Sequence, residues 1–249
     1  MTRQHPCASA LTFASGALLL LGATACTATE PEEPPALIEV VSQPDYTGEP
    51  IPLDAPLHSS GAFEFDQWPS ACALTDTATV QAVLPGAVDI AQKAEPQQLK
   101  FLDIGPGAGD DSTHTIPEAR CTTSAGFDAD GLRLEDGNVV MNVTAEVLQA
   151  GGSAFLEANH DRPIGKETQV RDATCFVDHT TYTCEMTNIV FTIAVDARPY
   201  EQYTHTGGSF YVVDGERIDY SDDIEAFQAM SVEKILEPMV EMAVERLSS

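Results

Sequence analysis

A ten-residue stretch in the second half of the chain, Cys175–Cys184, restricts the fold more than any other feature. Its residues form two short runs typical of β-strands around a turn centred on His179-Thr180. With that centre, Cys175 lies opposite Cys184 at a non-hydrogen-bonded pair, where side chains of neighbouring strands are closest. A Cα separation of about 5 Å suits a disulfide. The stretch therefore predicts a disulfide-bonded β-hairpin.

The N-terminus has the pattern of a bacterial lipoprotein signal peptide. An apolar run over residues 10–21 precedes the small residues Ala23-Thr24-Ala25 and then Cys26. The run is too short to cross a bilayer, which takes roughly 20 residues. We therefore predict that residues 1–25 are removed and that Cys26 is the lipidation site, attached to the outer face of the plasma membrane. The alternative is an ordinary secretory signal cut after Ala25.

The remaining cysteines predict a second disulfide. Apart from Cys26 and Cys7, which falls in the leader, the chain has an even set of four: Cys72, Cys121, Cys175 and Cys184. An even number in an exported chain indicates two disulfides, and Cys72 pairs with Cys121 by elimination. Buried free thiols are the alternative, and a zinc site is disfavoured because no Cys-x-x-Cys spacing occurs.

Charge limits the partners of the chain. It carries 39 acidic and 12 basic residues, a net charge of −27. Nucleic-acid binding requires a basic face, so this charge argues against nucleic acid. It also argues against a protein that lies flat on an anionic membrane. Cations, basic peptides and neutral molecules remain as partners, and an acidic surface that serves solubility alone, as in a saline habitat, is the other interpretation.

Composition divides the mature chain into two parts. Residues 26–63 are rich in Pro and Glu and are predicted to be an extended membrane tether. Within them, Leu37–Val41 is the exception, because its pattern is that of an edge strand. Residues 64–249 are predicted to form one globular domain.

Helix signals stand near both ends of the domain. One helix is predicted from Asp76 to about Leu84, with Thr75 as its N-cap. A long C-terminal helix is predicted to begin after Ser221, with Pro238 as a kink or break.

Strand signals fill the middle of the domain. Strands are predicted over 88–91, 99–104, 139–147 and 189–195, and Asp214-Gly215 marks a hairpin. We therefore predict an α+β fold, in which a short N-terminal helix and a long C-terminal helix pack on an antiparallel sheet.

No motif predicts a catalytic residue, a metal site or a cofactor. No Gly-x-Ser-x-Gly sequence is present, and the histidines never recur at helical spacing. The alternative function rests on acidic loops: an exported hydrolase or a calcium-dependent enzyme would use Asp110, Asp111, Asp128 or Asp130. The stretch from Asp128 lacks the closing glutamate of a calcium loop, because Val139 stands at that position.

The stretch Pro69-Ser-Ala-Cys72-Ala-Leu-Thr75 resembles a motif of actinobacterial lipoproteins that carry a domain of unknown function. Those proteins share the order of a lipobox, a Pro-rich tether, a Cys at a helix start and a second Cys further along. The family motif is of the type Pro-Cys-Ala-Leu-Leu-Thr, whereas in this chain Ser70-Ala71 stand between Pro69 and Cys72. The resemblance implies a Cys72–Cys121 disulfide and an envelope location, and it implies no catalytic residues.

These features together predict a lipid-anchored envelope protein whose domain binds an unidentified ligand or protein without catalysis. Such a domain should offer an apolar groove or a flat exposed patch. A cleft that holds His, Asp and Ser within mutual hydrogen-bond reach would contradict this prediction. A purely structural envelope protein is a third interpretation.

Overall fold

The computed structural model describes residues 38–45, 48–102, 111–127, 139–159, 161, 163–196, 210–220 and 223–249, with residues 111, 139, 210 and 219 described by their backbone alone. The described residues form a mixed α+β fold with a large antiparallel sheet and a few helices, as the sequence predicts.

The strands are β1 (Ile38–Val40), β2 (Ala87–Leu102), β3 (Asp111–Phe127), β4 (Val139–Ala150), β5 (Lys166–Val170), β6 (Ala173–Asp178), β7 (Thr181–Glu185), β8 (Ile189–Asp196), β9 (Phe210–Val213) and β10 (Glu216–Asp219). The helices are a 3-10 turn (Phe65–Gln67), α1 (Ala71–Leu74), α2 (Thr77–Val83), α3 (Ser153–Ala158), α4 (Ile224–Met230), a π-helix (Ser231–Leu236) and α5 (Glu237–Leu247).

Two sheets organise the strands. Seven strands form an antiparallel sheet in the order β2-β3-β4-β8-β7-β6-β5, and three form a smaller sheet in the order β1-β9-β10. Both predicted hairpins are confirmed: Cys175 pairs with Cys184 in register, and β9 and β10 flank Asp214-Gly215. Asp214 and Gly215 both have positive φ, 52° and 85°, as the turn of a two-residue hairpin requires.

The second strand is longer than predicted. The sequence suggests two strands separated near Pro96, whereas β2 runs unbroken for 16 residues. Pro96 is tolerated because β2 is an edge strand and because its register against β3 shifts between Glu95 and Gln97. A proline at an edge bulge removes no ladder hydrogen bond.

Burial alternates along the central strands of the large sheet. In β4, Met141, Val143, Ala145 and Val147 are buried, and the residues between them are half-buried and mostly polar. The buried positions define an inner face, on which Cys121, Cys175 and Cys184 also lie. Helices α1 and α2 contact β2 and β3, and the C-terminal helical segment contacts β5, β7 and β8. The half-buried positions define an outer face.

Residues 38–45 and 48–63, predicted as part of the tether, belong to the folded unit. Ile38 and Val40 have no exposed surface, and Ile51 and Phe63 are also buried. Full burial of one such side chain stabilises the folded state by about 1.5–3 kcal/mol relative to leaving it in water, as it would be in an extended tether. The predicted edge strand at Leu37–Val41 is present as β1, at the edge of the small sheet and parallel to β9. The sequence predicts a domain that begins at residue 64, and the described residues 38–45 and 48–63 pack in the same unit as that range.

The helix ends differ from prediction by small shifts in their caps. Asp76, rather than Thr75, caps α2, because its Oδ1 accepts from the Thr79 N–H at 2.7 Å. Asp223 caps α4 in the same way through the Ala226 N–H at 2.9 Å. Pro238 causes no gap in the C-terminal segment: the π-helix runs directly into α5, and Pro238 is the second residue of α5.

Both predicted disulfides are present. Cys72 pairs with Cys121 at a Cα separation of 5.0 Å, and Cys175 pairs with Cys184 at 4.1 Å. Among the described residues, no helix combines the length and the apolar character that a membrane crossing needs.

Candidate functional site

Several residues singled out by sequence lie where the structure places no side chain. Cys26, Asp110, Asp128 and Asp130 are outside the described residues, and Asp111 is described only by its backbone at the start of β3. Within the described ranges, no three His, Cys, Asp or Glu side chains group as metal ligands. Concave surfaces of the folded unit are the remaining candidates.

Two histidines bond to serines in short-range pairs. His58 Nδ1 lies 2.9 Å from Ser60 Oγ and also accepts from the Ser60 backbone N–H, which marks a local turn. His114 Nε2 lies 2.7 Å from Ser112 Oγ, two residues away on β3. The Phe65 ring packs against both imidazoles, at centroid distances of 4.8 and 4.1 Å. In the described part of the chain no carboxylate bonds to either ring, so the arrangement is not a Ser-His-Asp site.

One concave surface, here named the sheet groove, has a volume of about 660 Å³. It lies against the end of β2, against β4, β7 and β8, and against the described residues between α3 and β5. Its lining includes Leu102, Leu148, Gln149, Ile164, Thr181 and Thr183. Pockets that hold small ligands usually have volumes of about 300–1,000 Å³ and mostly apolar walls with a few placed polar groups. The sheet groove has a volume in this range, and its lining is divided about equally between apolar and polar surface.

Asn159 builds one wall of the sheet groove. Its Oδ1 accepts from the Leu102 N–H at 2.6 Å, and its Nδ2 donates to the Leu102 carbonyl at 3.0 Å. The side-chain amide thus pairs with the free edge of β2 as a neighbouring strand would. Nδ2 also donates to the Phe155 carbonyl at 3.0 Å, which fixes the amide to the last turn of α3.

Gln149 places an unused acceptor beside the same wall. Its Nε2 donates to the Asn159 carbonyl at 2.5 Å, and because a carbonyl only accepts, this bond fixes which end of the amide faces Asn159. Its Oε1 is buried and has no hydrogen-bond partner in the described structure. A buried acceptor without a donor costs about 1–3 kcal/mol.

Exposed apolar side chains stand on the sheet groove beside the exposed charged residues Lys100, Asp161 and Asp178. Ile164 is 80% exposed and Leu102 is 37% exposed, and both line the groove. Single exposed apolar residues are common, but a pair on one groove marks a surface suited to an apolar ligand.

A second concave surface, the acidic cleft, lies beside the π-helix. It has a volume of about 340 Å³, and its lining includes Ser42, Glu233, Lys234, Glu237 and Glu241. Burial, and then the neighbouring carboxylates of Glu241 and Glu233, raise the pKa of Glu237. Burial also raises the pKa of Tyr182, whose hydroxyl bonds Glu237. The cleft disfavours anions, but its carboxylates do not group as metal ligands.

A third surface, the Arg246 groove, has a volume of about 680 Å³ and lies between residues 49–52 and residues 67–73. Its lining includes Glu49, Gln67, Cys72, Asp76 and Arg246. Arg246 is 4% exposed, and three of its N–H groups are used internally: they bond the Glu49 carbonyl, Thr79 Oγ1 and the Asp76 carboxylate. Its guanidinium therefore has a structural role.

Comparisons with known proteins identify no functional site, so the sheet groove is a candidate on its geometry alone. No protein-family model matches the chain, and neither a curated protein nor a solved structure matches it.

Sequence reasoning missed the sheet groove, because its key contacts join distant residues. Asn159 and Leu102 are 57 positions apart. The one local signal is Pro163-Ile164, an apolar pair within a polar stretch, and it does not indicate which strands lie beneath it.

Proposed function

We propose that this protein is a lipid-anchored component of the cell envelope, held at the outer face of the plasma membrane through Cys26. Its folded domain binds a ligand or partner and catalyses no reaction. The observation that carries the proposal is the pair of disulfides, Cys72–Cys121 and Cys175–Cys184. Disulfides persist in oxidising compartments outside the cytosol, which supports export. The leader before Cys26 and the likeness to actinobacterial lipoproteins support the same location.

The tether in this proposal is short. The fold begins with β1 at Ile38, so only residues 27–37 separate Cys26 from β1. Eleven residues span at most about 40 Å when fully extended. The domain would then meet its ligand close to the membrane.

The sheet groove is the proposed ligand site. Its exposed apolar side chains suit the apolar part of a ligand, and Thr181, Thr183 and Gln149 supply neutral hydrogen-bonding groups. A net charge of −27 disfavours anions over the whole surface. In this arrangement the N-terminal helices and the C-terminal helix cover the inner face, and the ligand is a neutral molecule with apolar and hydrogen-bonding parts.

Intact mass spectrometry tests the location. Protein taken from its native membrane fraction should have the mass of a chain that begins at Cys26 plus acyl groups, and reduction should add four hydrogens. An unacylated chain would contradict the lipid anchor. Free thiols before reduction would contradict the argument that the disulfides indicate export.

A neutral fluorescent probe tests the ligand site. Phenylnaphthylamine, an apolar molecule with one N–H donor, should bind saturably and lose about tenfold in affinity in Ile164→Asp, because the new carboxylate must be desolvated against an apolar ligand. Ile224→Asp is the matched control, since Ile224 is an exposed isoleucine, 58% accessible, that does not line the groove. Equal affinity in both variants, or no saturable binding, would rule out this groove.

A further inference from the structure

The four half-cystines differ in their access to solvent. Cys121, Cys175 and Cys184 have no exposed surface, whereas Cys72 is partly exposed and lines the Arg246 groove. Thiol–disulfide exchange begins when a thiolate reaches one sulfur of a disulfide, so access decides which sulfur is attacked. The two disulfides are therefore not equivalent towards a thiol in solution.

The Arg246 groove borders Cys72, which is one of its lining residues. It is wide enough, at about 680 Å³, for a side-chain-sized thiol. Cys121 lies at the other end of the same disulfide, on the covered inner face of β3. Cys175 and Cys184 lie on the inner face of β6 and β7, which the same groove does not reach.

The backbone around Cys72 is held without the disulfide. Gln92 Nε2 lies within bonding distance of the Cys72 carbonyl at 2.9 Å and of the Thr75 carbonyl at 3.0 Å. Thr123 Oγ1 donates to the Thr75 carbonyl at 3.0 Å. These bonds keep α1 beside β3 when the sulfur–sulfur bond opens, so exchange does not require global unfolding.

We propose that Cys72 is a thiol-exchange site, reached through the Arg246 groove. An attacking thiolate forms a bond to Cys72 Sγ, the Cys72–Cys121 bond breaks, and Cys121 leaves as a thiolate that takes a proton from solvent. In the reverse direction, the Cys121 thiolate attacks Cys72 of the mixed disulfide, re-forms the native bond and releases the thiol. This assignment goes beyond the proposed function and does not depend on the lipid anchor.

The charge of the groove selects the partner thiol. Glu49 and Asp76 line it, and the positive charge of Arg246 is already paired with Asp76 at 3.0 Å. The Glu49 carboxylate, which that pair does not neutralise, and the net charge of the protein repel an anionic thiol such as glutathione, whereas a cationic thiol is attracted. The partner is therefore a thiol on a cationic molecule or within a basic surface of a protein.

Two matched variants of the full chain test the site. Cys121→Ser leaves Cys72 as a free thiol, and Cys72→Ser leaves Cys121 free, so each loses the same disulfide. With cystamine, the cationic disulfide of cysteamine, Cys72 should form a mixed disulfide at least about tenfold faster than Cys121, because a fully buried thiol reacts only after local opening. Mass spectrometry follows the adduct, and glutathione disulfide should react more slowly with Cys72 than cystamine does.

The unaltered chain gives an independent readout under native conditions. Cysteamine should open Cys72–Cys121 before Cys175–Cys184, as mapped by alkylation and peptide mass spectrometry. The assignment is overturned if Cys175–Cys184 opens first or if both disulfides open at one rate. Equal reaction of Cys72 and Cys121 in folded variants overturns it as well, and so does a preference for glutathione disulfide over cystamine.

Discussion

Replacement of both Cys72 and Cys121 by alanine is expected to lower the free energy of unfolding by about 4 kcal/mol. The disulfide joins residues 49 positions apart, and its main effect is to restrict the unfolded chain. Replacement of both Cys175 and Cys184 should cost about 3 kcal/mol, because that loop spans only 9 positions. Cavities at buried positions add to the loss at Cys121 in the first pair and at both cysteines of the second, so this contribution opposes the order that loop length predicts.

Urea unfolding checks this order, with the fluorescence of Trp68, the one tryptophan of the chain, as the signal. The dependence of the unfolding free energy on urea should also become steeper, and more so for the long loop, since an unlinked unfolded chain exposes more surface. A larger loss from the Cys175/Cys184 variant would contradict the loop-length argument and would place the stabilisation in native packing between β6 and β7.

Local signals in the sequence were enough to predict the hairpins and the disulfides. The pairing of Cys175 with Cys184 depends on a turn and a two-residue period, both contained in ten residues. The β9–β10 hairpin is equally local, because Asp214 and Gly215 supply the positive φ angles that its turn needs. Once one disulfide was fixed, the other followed from the small number of cysteines.

Contacts between distant residues account for what the sequence did not predict. Proline content made residues 26–63 look extended, yet Ile38 pairs with Tyr211 and the Ile51 N–H bonds the Arg246 carbonyl at 2.7 Å. Such partners lie more than 170 positions away and leave no local pattern. The sheet groove also depends on distant residues, because the Asn159 amide can bond the backbone of Leu102 only after the sheet has formed.

Replacement of Arg246 by methionine is expected to lower the free energy of unfolding by about 3 kcal/mol. Methionine keeps most of the packing of the side chain but removes the ion pair with Asp76 and the bonds to the Glu49 carbonyl and Thr79. Loss of one partner of a buried ion pair costs about 3–5 kcal/mol, and the lower end applies because the Asp76 side chain keeps 29% of its exposure. The variant should also loosen residues 49–51, as hydrogen exchange would show.

Arg171→Met is the matched control, because it removes an equal charge from another ion pair that involves a residue of α5. Arg171 bonds Glu245 at 2.9 Å, but its side chain is 49% exposed, so the expected loss is at most about 1 kcal/mol and falls with added salt. Asp76→Asn combined with Arg246→Met should recover part of the loss, since asparagine still caps α2 and leaves no unpaired charge. Equal losses in the two methionine variants would contradict this prediction. They would mean that burial of Arg246 adds no stability beyond that of an exposed ion pair, and that Arg246 does not hold the N-terminal segment against the last turn of the chain.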